Sequence, residues 1–187
     1  FNNKNFYGAT KIAGEAMARA LHHRYGLNYV GLRYMNVYGP RQDYKGTYIA
    51  VIMKMLDAID NGEGPTIFGD GSEAFDFVSV LDCGHANICA MQSDIAGRYY
   101  NVGTGKRTSL KELAEMLLNL TGSNQPIQYR ERSQATLVRN RIGSPVRAKE
   151  EIGFNAKVPL EEGLQKLIDW RASHKSSVEA RRAKSRL

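Results

Sequence analysis

An amphipathic helix that leads directly into an apolar strand is the feature that most limits how this chain can fold. From Ala9 to about Tyr25, apolar residues recur at spacings of three and four, which predicts a helix with one buried face that stops at Gly26. The next segment, LNYVGLRYMNVYG (27–39), is rich in aromatic and β-branched residues and predicts a strand that opens into a loop. A helix followed by a buried strand is the unit of a parallel α/β sheet.

The rest of the chain continues this alternation. Asp82 is expected to cap a helix, and Ser109 with Glu112 forms a capping box at the start of another helix. The periodicity predicts strands and helices in the following segments: a helix over 48–62, strands over 65–72 and 75–82, a helix from 83, a strand and loop over 97–105, a helix over 109–122, a strand over 126–131 and helices over 144–153 and 159–174. The fold class is therefore predicted to be α/β.

Charge and hydropathy limit the classes of function. The chain of 187 residues has a formal net charge of +7, but five basic residues against Glu179 lie within residues 174–187, so the body is nearly balanced. Because a basic polar end is more often a solvated end than a binding arm, we expect no nucleic-acid partner. No apolar run is long enough to span a bilayer and no signal-peptide pattern opens the chain, so a cytoplasmic protein without a membrane partner is expected.

Several motifs for phosphate or metal binding are incomplete. GTGK (103–106) is not a P-loop, because Tyr100 and Arg107 stand where glycine and Ser or Thr are required. DGSEAFDFVSVLD begins like a calcium loop, but Ala74 and Phe75 occupy a ligand position and the glycine position. The four histidines and two cysteines lack metal-ligand spacing, so no metal site is expected, and the chain contains no G-x-G-x-x-G sequence.

Tyr7 and Lys11, in NFYGATKIAGE (5–15), are four residues apart and therefore share a helical face. An ammonium beside a phenol favours the phenolate, and lowering a phenol pKa from about 10 to near 7 requires roughly 4 kcal/mol. One lysine can supply part of this, and a positively charged nicotinamide could supply more. Such a phenolate could take a proton from an alcohol while hydride leaves the same carbon.

The alternative is that Tyr7 packs in the core while Lys11 pairs with Glu15 on the surface. The spacing alone leaves both interpretations open, because Tyr-x-x-x-Lys is common by chance. The surrounding sequence favours the first.

The order of the motifs resembles a known family. YGATKIAGE followed by LRYMNVYGPRQ resembles the extended short-chain dehydrogenase/reductase family, and within it the NAD-dependent nucleotide-sugar epimerases and dehydratases of the UDP-glucose 4-epimerase type. The likeness continues through TIFGDGSEAFDFVSVLDC, YYNVGTGKRTSLKELAE and EEIGFNAKVPLEEGLQKLIDW, and covers residues 1 to about 172.

The resemblance implies the C-terminal part of an NAD(P)-binding Rossmann-type fold with a small α/β substrate-binding domain. Residues 1–47 are expected to end the Rossmann-type domain. Residues 48–172 are expected to form mainly the substrate-binding region, with some segments returning to the Rossmann core. Residues 173–187 are expected to form a basic, flexible tail.

The resemblance also assigns roles to residues of the cofactor site. In that family the tyrosine matching Tyr7 is the active-site base, and the lysine matching Lys11 holds the nicotinamide ribose and lowers the tyrosine pKa. Both are therefore expected to be catalytic and to bind NAD. Tyr34 lies in the segment beside the nicotinamide, and Asn36 matches a residue that contacts the phosphates of the sugar nucleotide.

The expected contacts to the rest of the nucleotide sugar lie further along the chain. Thr66 and Phe68 belong to a stretch resembling the lining of the uracil pocket. Arg139 is the expected diphosphate contact, with Arg132 or Arg141 as alternatives. The sequence departs from many relatives at Phe75, where an arginine binds phosphate, so another arginine must compensate or the substrate is held differently.

The expected function is NAD-dependent epimerisation at C4 of UDP-glucose, UDP-galactose or an N-acetyl form. The glycine-rich cofactor loop and the catalytic Ser or Thr of the family are expected to precede Phe1, so the chain is interpreted as a fragment that is inactive alone. A 4,6-dehydratase or decarboxylase, or a non-catalytic binding or dimerisation module, are the alternatives. The helix over 9–25 resembles one in the family's dimer interface, so a homodimer is expected.

Overall fold

The computed structural model describes residues 5–42, 50–131, 139–174 and 176. The helices are α1 (Phe6–Tyr25), α2 (Val51–Asp60), α3 (Val80–Gln92), α4 (Leu110–Thr121), α5 (Val146–Ile152) and α6 (Leu160–Ser173). The strands are β1 (Val30–Tyr34), β2 (Asn36–Tyr38), β3 (Thr66–Phe68), β4 (Ala74–Phe75), β5 (Phe77–Ser79), β6 (Arg98–Val102), β7 (Thr108–Ser109), β8 (Gln128–Arg130) and β9 (Asn140–Arg141). The basic tail lies almost entirely outside the described residues.

The segment predicted as one strand over 27–39 is divided at Met35. Before it, β1 runs parallel to β6, with Val30 beside Arg98. After it, β2 runs parallel to β5, with Asn36 beside Phe77. Consecutive residues therefore change strand partner, and this change directs the two halves of the segment into different sheets.

Helix α1 begins and ends with side-chain and backbone caps. The side chain of Asn5 accepts a hydrogen bond from the Gly8 amide, and Gly26 takes the left-handed conformation (φ 68°) while its amide donates to His22. The predicted stop is confirmed, and the helix begins at Phe6 rather than Ala9. Only a residue without a Cβ adopts the Gly26 geometry at little cost.

The expected buried face of α1 is wrong for the described residues, because none of the residues of α1 is buried. Met17 is 65% exposed and Leu21 is 42% exposed. Among the described elements, none covers this apolar stripe to the point of burial, although the spacing is that of a core helix. Ile12, Ala18 and His22 are half-buried, so the packing of α1 is limited and its polar contacts add to its positioning.

Two clusters of buried apolar side chains form the interior. The first packs α2, α4 and α6 together with Tyr38, Ile67 and Phe77. The second packs α3, β6 and α5 against the apolar residues of β1, with Val78, Tyr100 and Phe154 at its centre. The β1–β2 segment thus contributes to both clusters.

The expected cap of α3 by Asp82 is wrong. Ser79 is the N-cap, and its hydroxyl accepts a hydrogen bond from the Leu81 amide. Asp82 lies inside the first turn, is buried and accepts hydrogen bonds from the amides of Lys157 (2.9 Å) and Val158 (3.1 Å). A buried carboxylate needs hydrogen-bond donors, and here the amides of a loop distant in sequence supply them instead of the amides at the start of α3.

The predicted capping box of α4 is confirmed. The Ser109 hydroxyl accepts from the Glu112 amide, and the Glu112 carboxylate accepts from the Ser109 amide. Gly122 ends the helix in the left-handed conformation. Each signal joins residues that are only three or four positions apart, so each can be predicted from the sequence.

Buried Asp76 ties a loop to the strands that carry the site. Its Oδ1 accepts from the amide and hydroxyl of Thr104, and its Oδ2 accepts from the Gly105 amide. Its carbonyl oxygen accepts from the Asn36 amide at 2.9 Å. One residue between β4 and β5 therefore fixes both the GTGK loop and the start of β2.

Candidate active site

Tyr7 and Lys11 lie on the first turns of α1 and face the same side of the helix. The Nζ atom of Lys11 is 5.2 Å from the centroid of the Tyr7 ring. The hydroxyl of Thr10 donates to the Tyr7 carbonyl at 2.8 Å, which supports the first turn. Tyr7 is 71% exposed, so the interpretation that it packs in the core is wrong.

The other half of that interpretation, an ion pair between Lys11 and Glu15, is replaced by a different contact. Both carboxylate oxygens of Glu15 accept hydrogen bonds from Arg33 of β1. The hydrogen bond from Arg33 holds the pKa of Glu15 below its ordinary value. Glu15 is therefore paired with β1.

We call Glu15, Arg33 and Tyr99 the Glu15 clasp. The Tyr99 hydroxyl donates to the Glu15 carbonyl, and the Arg33 guanidinium lies 5.3 Å from the centroid of the Tyr99 ring. Burial raises the pKa of Tyr99 to about 12, so this hydroxyl stays protonated and remains a donor at neutral pH. The clasp joins α1 to β1 and β6.

Gly31 makes room for this arrangement. A Cβ added there would lie 2.2 Å from Cδ1 of Tyr99. The ring of Tyr99 can therefore cross β1 and reach α1 only because position 31 has no side chain. Sequence reasoning did not identify this role, since a glycine inside a strand gives no hint of which ring lies over it.

A cavity of about 840 Å³ opens beside the pair. Its volume lies in the range of small-molecule sites. Its walls come from α1, β1, β2, α2, β5, β6 and β9, and they include Tyr7, Lys11, Glu15, Gly31, Arg33, Tyr34, Asn36, Phe77, Tyr99 and Arg141. The helix that carries the phenol and the ammonium thus faces the strand ends that carry polar and cationic side chains.

Tyr34 and Asn36, two residues expected at the site, lie on the cavity wall. The Tyr34 hydroxyl donates to Oδ1 of Asn87 at 3.1 Å, and the Asn87 amide nitrogen donates to the Cys83 carbonyl. Asn36 is half-buried and its backbone is held by Asp76. The strand change at Met35 places these two side chains on different sheets at the rim of one cavity.

Thr66, Phe68 and Arg139 do not line this cavity. Thr66 and Phe68 lie on β3, which pairs with β8, and Phe68 is 52% exposed. Arg139 precedes β9, and its charge is a smaller cause, after hydrogen bonds from Ser72, of the lowered pKa of Asp70. Thr66 and Phe68 therefore lie on the β3–β8 pair and Arg139 lies just before β9, and none of the three is on the wall that holds the Tyr7–Lys11 pair.

Arg141, rather than Arg139, is the arginine of β9 on the cavity wall. In the parallel pairing of β4 with β9, Arg141 is the partner of Phe75, and the Asp76 amide donates to its carbonyl. Arg141 thus lies beside Phe75, the position at which the family resemblance leads one to expect an arginine. The third alternative, Arg132, lies outside the described residues.

The polar groups of the cavity fit the nicotinamide end of a dinucleotide. The Lys11 ammonium offers three donors and the Tyr7 hydroxyl is both donor and acceptor, which suits ribose hydroxyls. Tyr34 adds a ring on the facing strand. These residues would hold the nicotinamide riboside part of the dinucleotide.

Two negative findings concern the described residues alone. In the part of the chain that the structure covers, His, Cys, Asp and Glu side chains do not gather in groups of three or more that could hold a metal ion. Within the same ranges, no helix combines the length and apolar character that crossing a bilayer requires.

The model of the NAD dependent epimerase/dehydratase family matches residues 1–103 of this chain. The match covers α1, β1, β2 and most of the cavity wall, and it does not extend over the C-terminal part of the chain. The chain belongs to the NAD dependent epimerase/dehydratase family.

Several individual proteins that the chain resembles are named as UDP-sugar epimerases. The UDP-glucose 4-epimerase of Mycolicibacterium smegmatis is 34% identical over 164 residues, which are 88% of this chain and 52% of that protein. The crystal structure of the Thermotoga maritima UDP-glucose 4-epimerase with UDP-glucose matches with a TM-score of 0.85 and 36% identity, over 90% of this chain and 54% of that one. The structure of the Methanobrevibacter ruminantium UDP-N-acetylglucosamine 4-epimerase, in complex with UDP-N-acetylmuramic acid, matches with a TM-score of 0.83 and 34% identity. The match covers 93% of this chain and 57% of that one.

The chain therefore spans about half the length of the relatives that it matches. The predicted family, the mixed α/β fold of Rossmann type and the dependence of that family on NAD are confirmed. The roles of individual residues and the division into domains stay predictions.

Proposed function

We propose that the natural full-length protein is an NAD-dependent nucleotide-sugar 4-epimerase that acts on UDP-glucose and UDP-galactose or on their N-acetyl forms. The observation that carries this proposal is the position of the Tyr7–Lys11 pair on a cavity whose wall also holds Tyr34, Asn36 and Arg141. A phenol with an adjacent ammonium is the acid/base device that removal of a proton from a sugar hydroxyl requires. Membership of the family and the named activities of the relatives support the same reaction.

In the proposed reaction Tyr7, as the phenolate, takes the proton of the 4-hydroxyl. Bound NAD supplies the acceptor, and later the donor, of the hydride at C4. Lys11 stabilises the phenolate by its charge and holds the ribose hydroxyls through its ammonium protons. After the 4-keto sugar has rotated in the cavity, Tyr7 would return the proton to the 4-oxygen, and the sugar would leave with the opposite configuration at C4.

Asn36 and Arg141 are proposed to hold the diphosphate. Arg141 lies on the cavity wall and beside Phe75, so its guanidinium supplies a charged donor near the place where relatives often have one. This proposal replaces Arg139 with Arg141 as the first candidate. The diphosphate must be held firmly in this mechanism, because the 4-keto sugar ring attached to it has to be free to rotate.

Thr66, Phe68 and Arg139 are proposed to contact the nucleoside end of the substrate. A nucleoside diphosphate sugar is long, so its base is expected to lie well away from the reacting C4 atom. The position of these residues around β3 and β9, outside the cavity wall, is compatible with that extended arrangement. The substrate-binding region over 48–172 stays part of this proposal.

A cytoplasmic homodimer is also proposed. The apolar stripe of α1, which includes Met17 and Leu21, is exposed in the single chain and offers a face that a second copy could cover.

Sedimentation velocity of the natural full-length protein at micromolar concentration is expected to give a dimer. A monomer under these conditions would contradict the proposal.

Replacement of Tyr7 by Phe removes the hydroxyl and keeps the ring. We expect turnover of UDP-glucose by the natural full-length protein to fall by about 10² to 10⁴ fold, the usual contribution of a positioned acid or base. Tyr25→Phe is the matched control, because Tyr25 is 70% exposed at the other end of α1 and has the Arg24 guanidinium 5.5 Å from its ring centroid. Equal rates for the two variants would remove Tyr7 as the base.

Replacement of Arg141 by Met tests the diphosphate contact. A lost charge-assisted hydrogen bond costs about 1.5 to 3 kcal/mol, so we expect KM for the nucleotide sugar to rise by about 10 to 100 fold. Steady-state kinetics of Arg141→Met, Arg139→Met and the exposed control Arg98→Met make the comparison. A larger rise in Arg139→Met than in Arg141→Met would return the role to Arg139.

A further inference from the structure

Lys11 has two groups within reach on its own helix. Tyr7 lies one turn before it and Glu15 one turn after it, and side chains at this spacing are neighbours on one face. A carboxylate at Glu15 could therefore attract the ammonium away from the phenol. In the structure the Lys11 Nζ atom lies near the Tyr7 ring, and the Glu15 carboxylate is held elsewhere.

Arg33 of β1 holds that carboxylate. Its Nε donates to Oε1 of Glu15 at 2.6 Å, and a terminal nitrogen donates to Oε2, so the contact is bidentate. The Tyr99 hydroxyl fixes the backbone of the same residue through the Glu15 carbonyl. Both the side chain and the main chain of Glu15 are thus directed towards the sheet.

We infer that Arg33 is a positioning residue that acts through Glu15: by neutralising and holding the carboxylate, it leaves the Lys11 ammonium to Tyr7. The inference rests on the proposed function, in which Tyr7 is the base. It gives Arg33 a part in the reaction that differs from joining α1 to the sheet.

The charges around the pair come from several elements. Among the described residues that line the cavity or act on Glu15, the charged ones are Lys11, Glu15 and Arg19 on α1, Arg33 on β1 and Arg141 on β9. The phenols of Tyr34 on β1 and Tyr99 on β6 also line the cavity. Glu15 is the carboxylate among these wall residues. Release of its charge is therefore the change that Tyr7 would sense most directly.

The test is the pH profile of kcat/KM for the natural full-length protein and its Arg33→Met variant. A freed carboxylate opposes formation of the phenolate and competes for Lys11. We expect the midpoint of the acid limb to move upward by about half to one pH unit, the size of a unit charge interaction across several ångströms of a partly solvated site. Arg24→Met, at the far end of α1, is the control and should leave the midpoint in place.

The double variant Arg33→Met with Glu15→Gln separates this role from a structural one. It removes the carboxylate along with its partner, so the midpoint should return to that of the unmodified protein. Loss of a merely structural tie would persist in the double variant. Arg33→Lys keeps the positive charge, so the midpoint of its acid limb should stay near that of the unmodified protein. This variant also provides a measurement at position 33 if Arg33→Met does not fold.

A second measurement does not depend on turnover. The ultraviolet absorbance of tyrosinate is titrated for each variant with and without Tyr7→Phe, and the difference reports Tyr7 alone. The midpoints should follow the same order as the kinetic profiles. No shift in Arg33→Met, or a shift that remains in the double variant, would overturn the role of Arg33. An unmodified protein without epimerase activity would instead contradict the proposed function.

Discussion

The contact of Glu15 with Arg33 and Tyr99 ties α1 to β1 and β6. None of the residues of α1 is buried, and Ile12, Ala18 and His22 are only half-buried, so this polar contact adds orientation to limited packing. The ion pair is partly exposed, with half of the Arg33 side chain accessible, so its contribution to the free energy of unfolding is modest. Its bidentate geometry and the hydrogen bond from Tyr99 instead define orientation, and that orientation brings Tyr7 and Lys11 to the cavity.

The cavity itself depends on the division of one apolar segment between two sheets. Tyr34 ends β1 and Asn36 begins β2, and the Met35 amide between them donates to the Val102 carbonyl of β6. Asp76 holds the other side of this division, through its backbone contact with Asn36 and its carboxylate contacts with the GTGK loop. A loop without a phosphate-binding motif therefore still has a defined structural role.

Features formed by neighbouring residues could be predicted from the sequence. The stop at Gly26, the capping box of Ser109 with Glu112 and the α/β alternation are of this kind, because their hydrogen bonds and periodicity lie within one element. The resemblance of the ordered motifs placed Tyr7, Lys11, Tyr34 and Asn36 together, and the structure brings all four to one cavity. The prediction that Asp82 caps α3 was wrong, because its carboxylate accepts hydrogen bonds from amides 75 and 76 residues further along the chain.

The choice among arginines could not be made from the sequence for the same reason. Whether Arg139 or Arg141 faces the cavity depends on the register of β9 against β4, a contact between segments far apart in the chain. The prediction of a buried face on α1 was wrong for a different reason. The periodicity shows that the helix has an apolar stripe, but it does not show which element covers that stripe. Local patterns indicate the element, and pairing between distant strands decides which side chain reaches the site.

The most direct measurement follows a deuterium atom at C4. UDP-glucose labelled there is incubated with the natural full-length protein, in parallel with labelled UDP-N-acetylglucosamine, and the products are examined by NMR. If the Tyr7–Lys11 site performs epimerisation, the 4-epimer of one of these nucleotide sugars accumulates with deuterium still at C4, because the hydride that leaves C4 returns to it. A product that has lost the label from C4, or no conversion of either nucleotide sugar, would contradict a 4-epimerase.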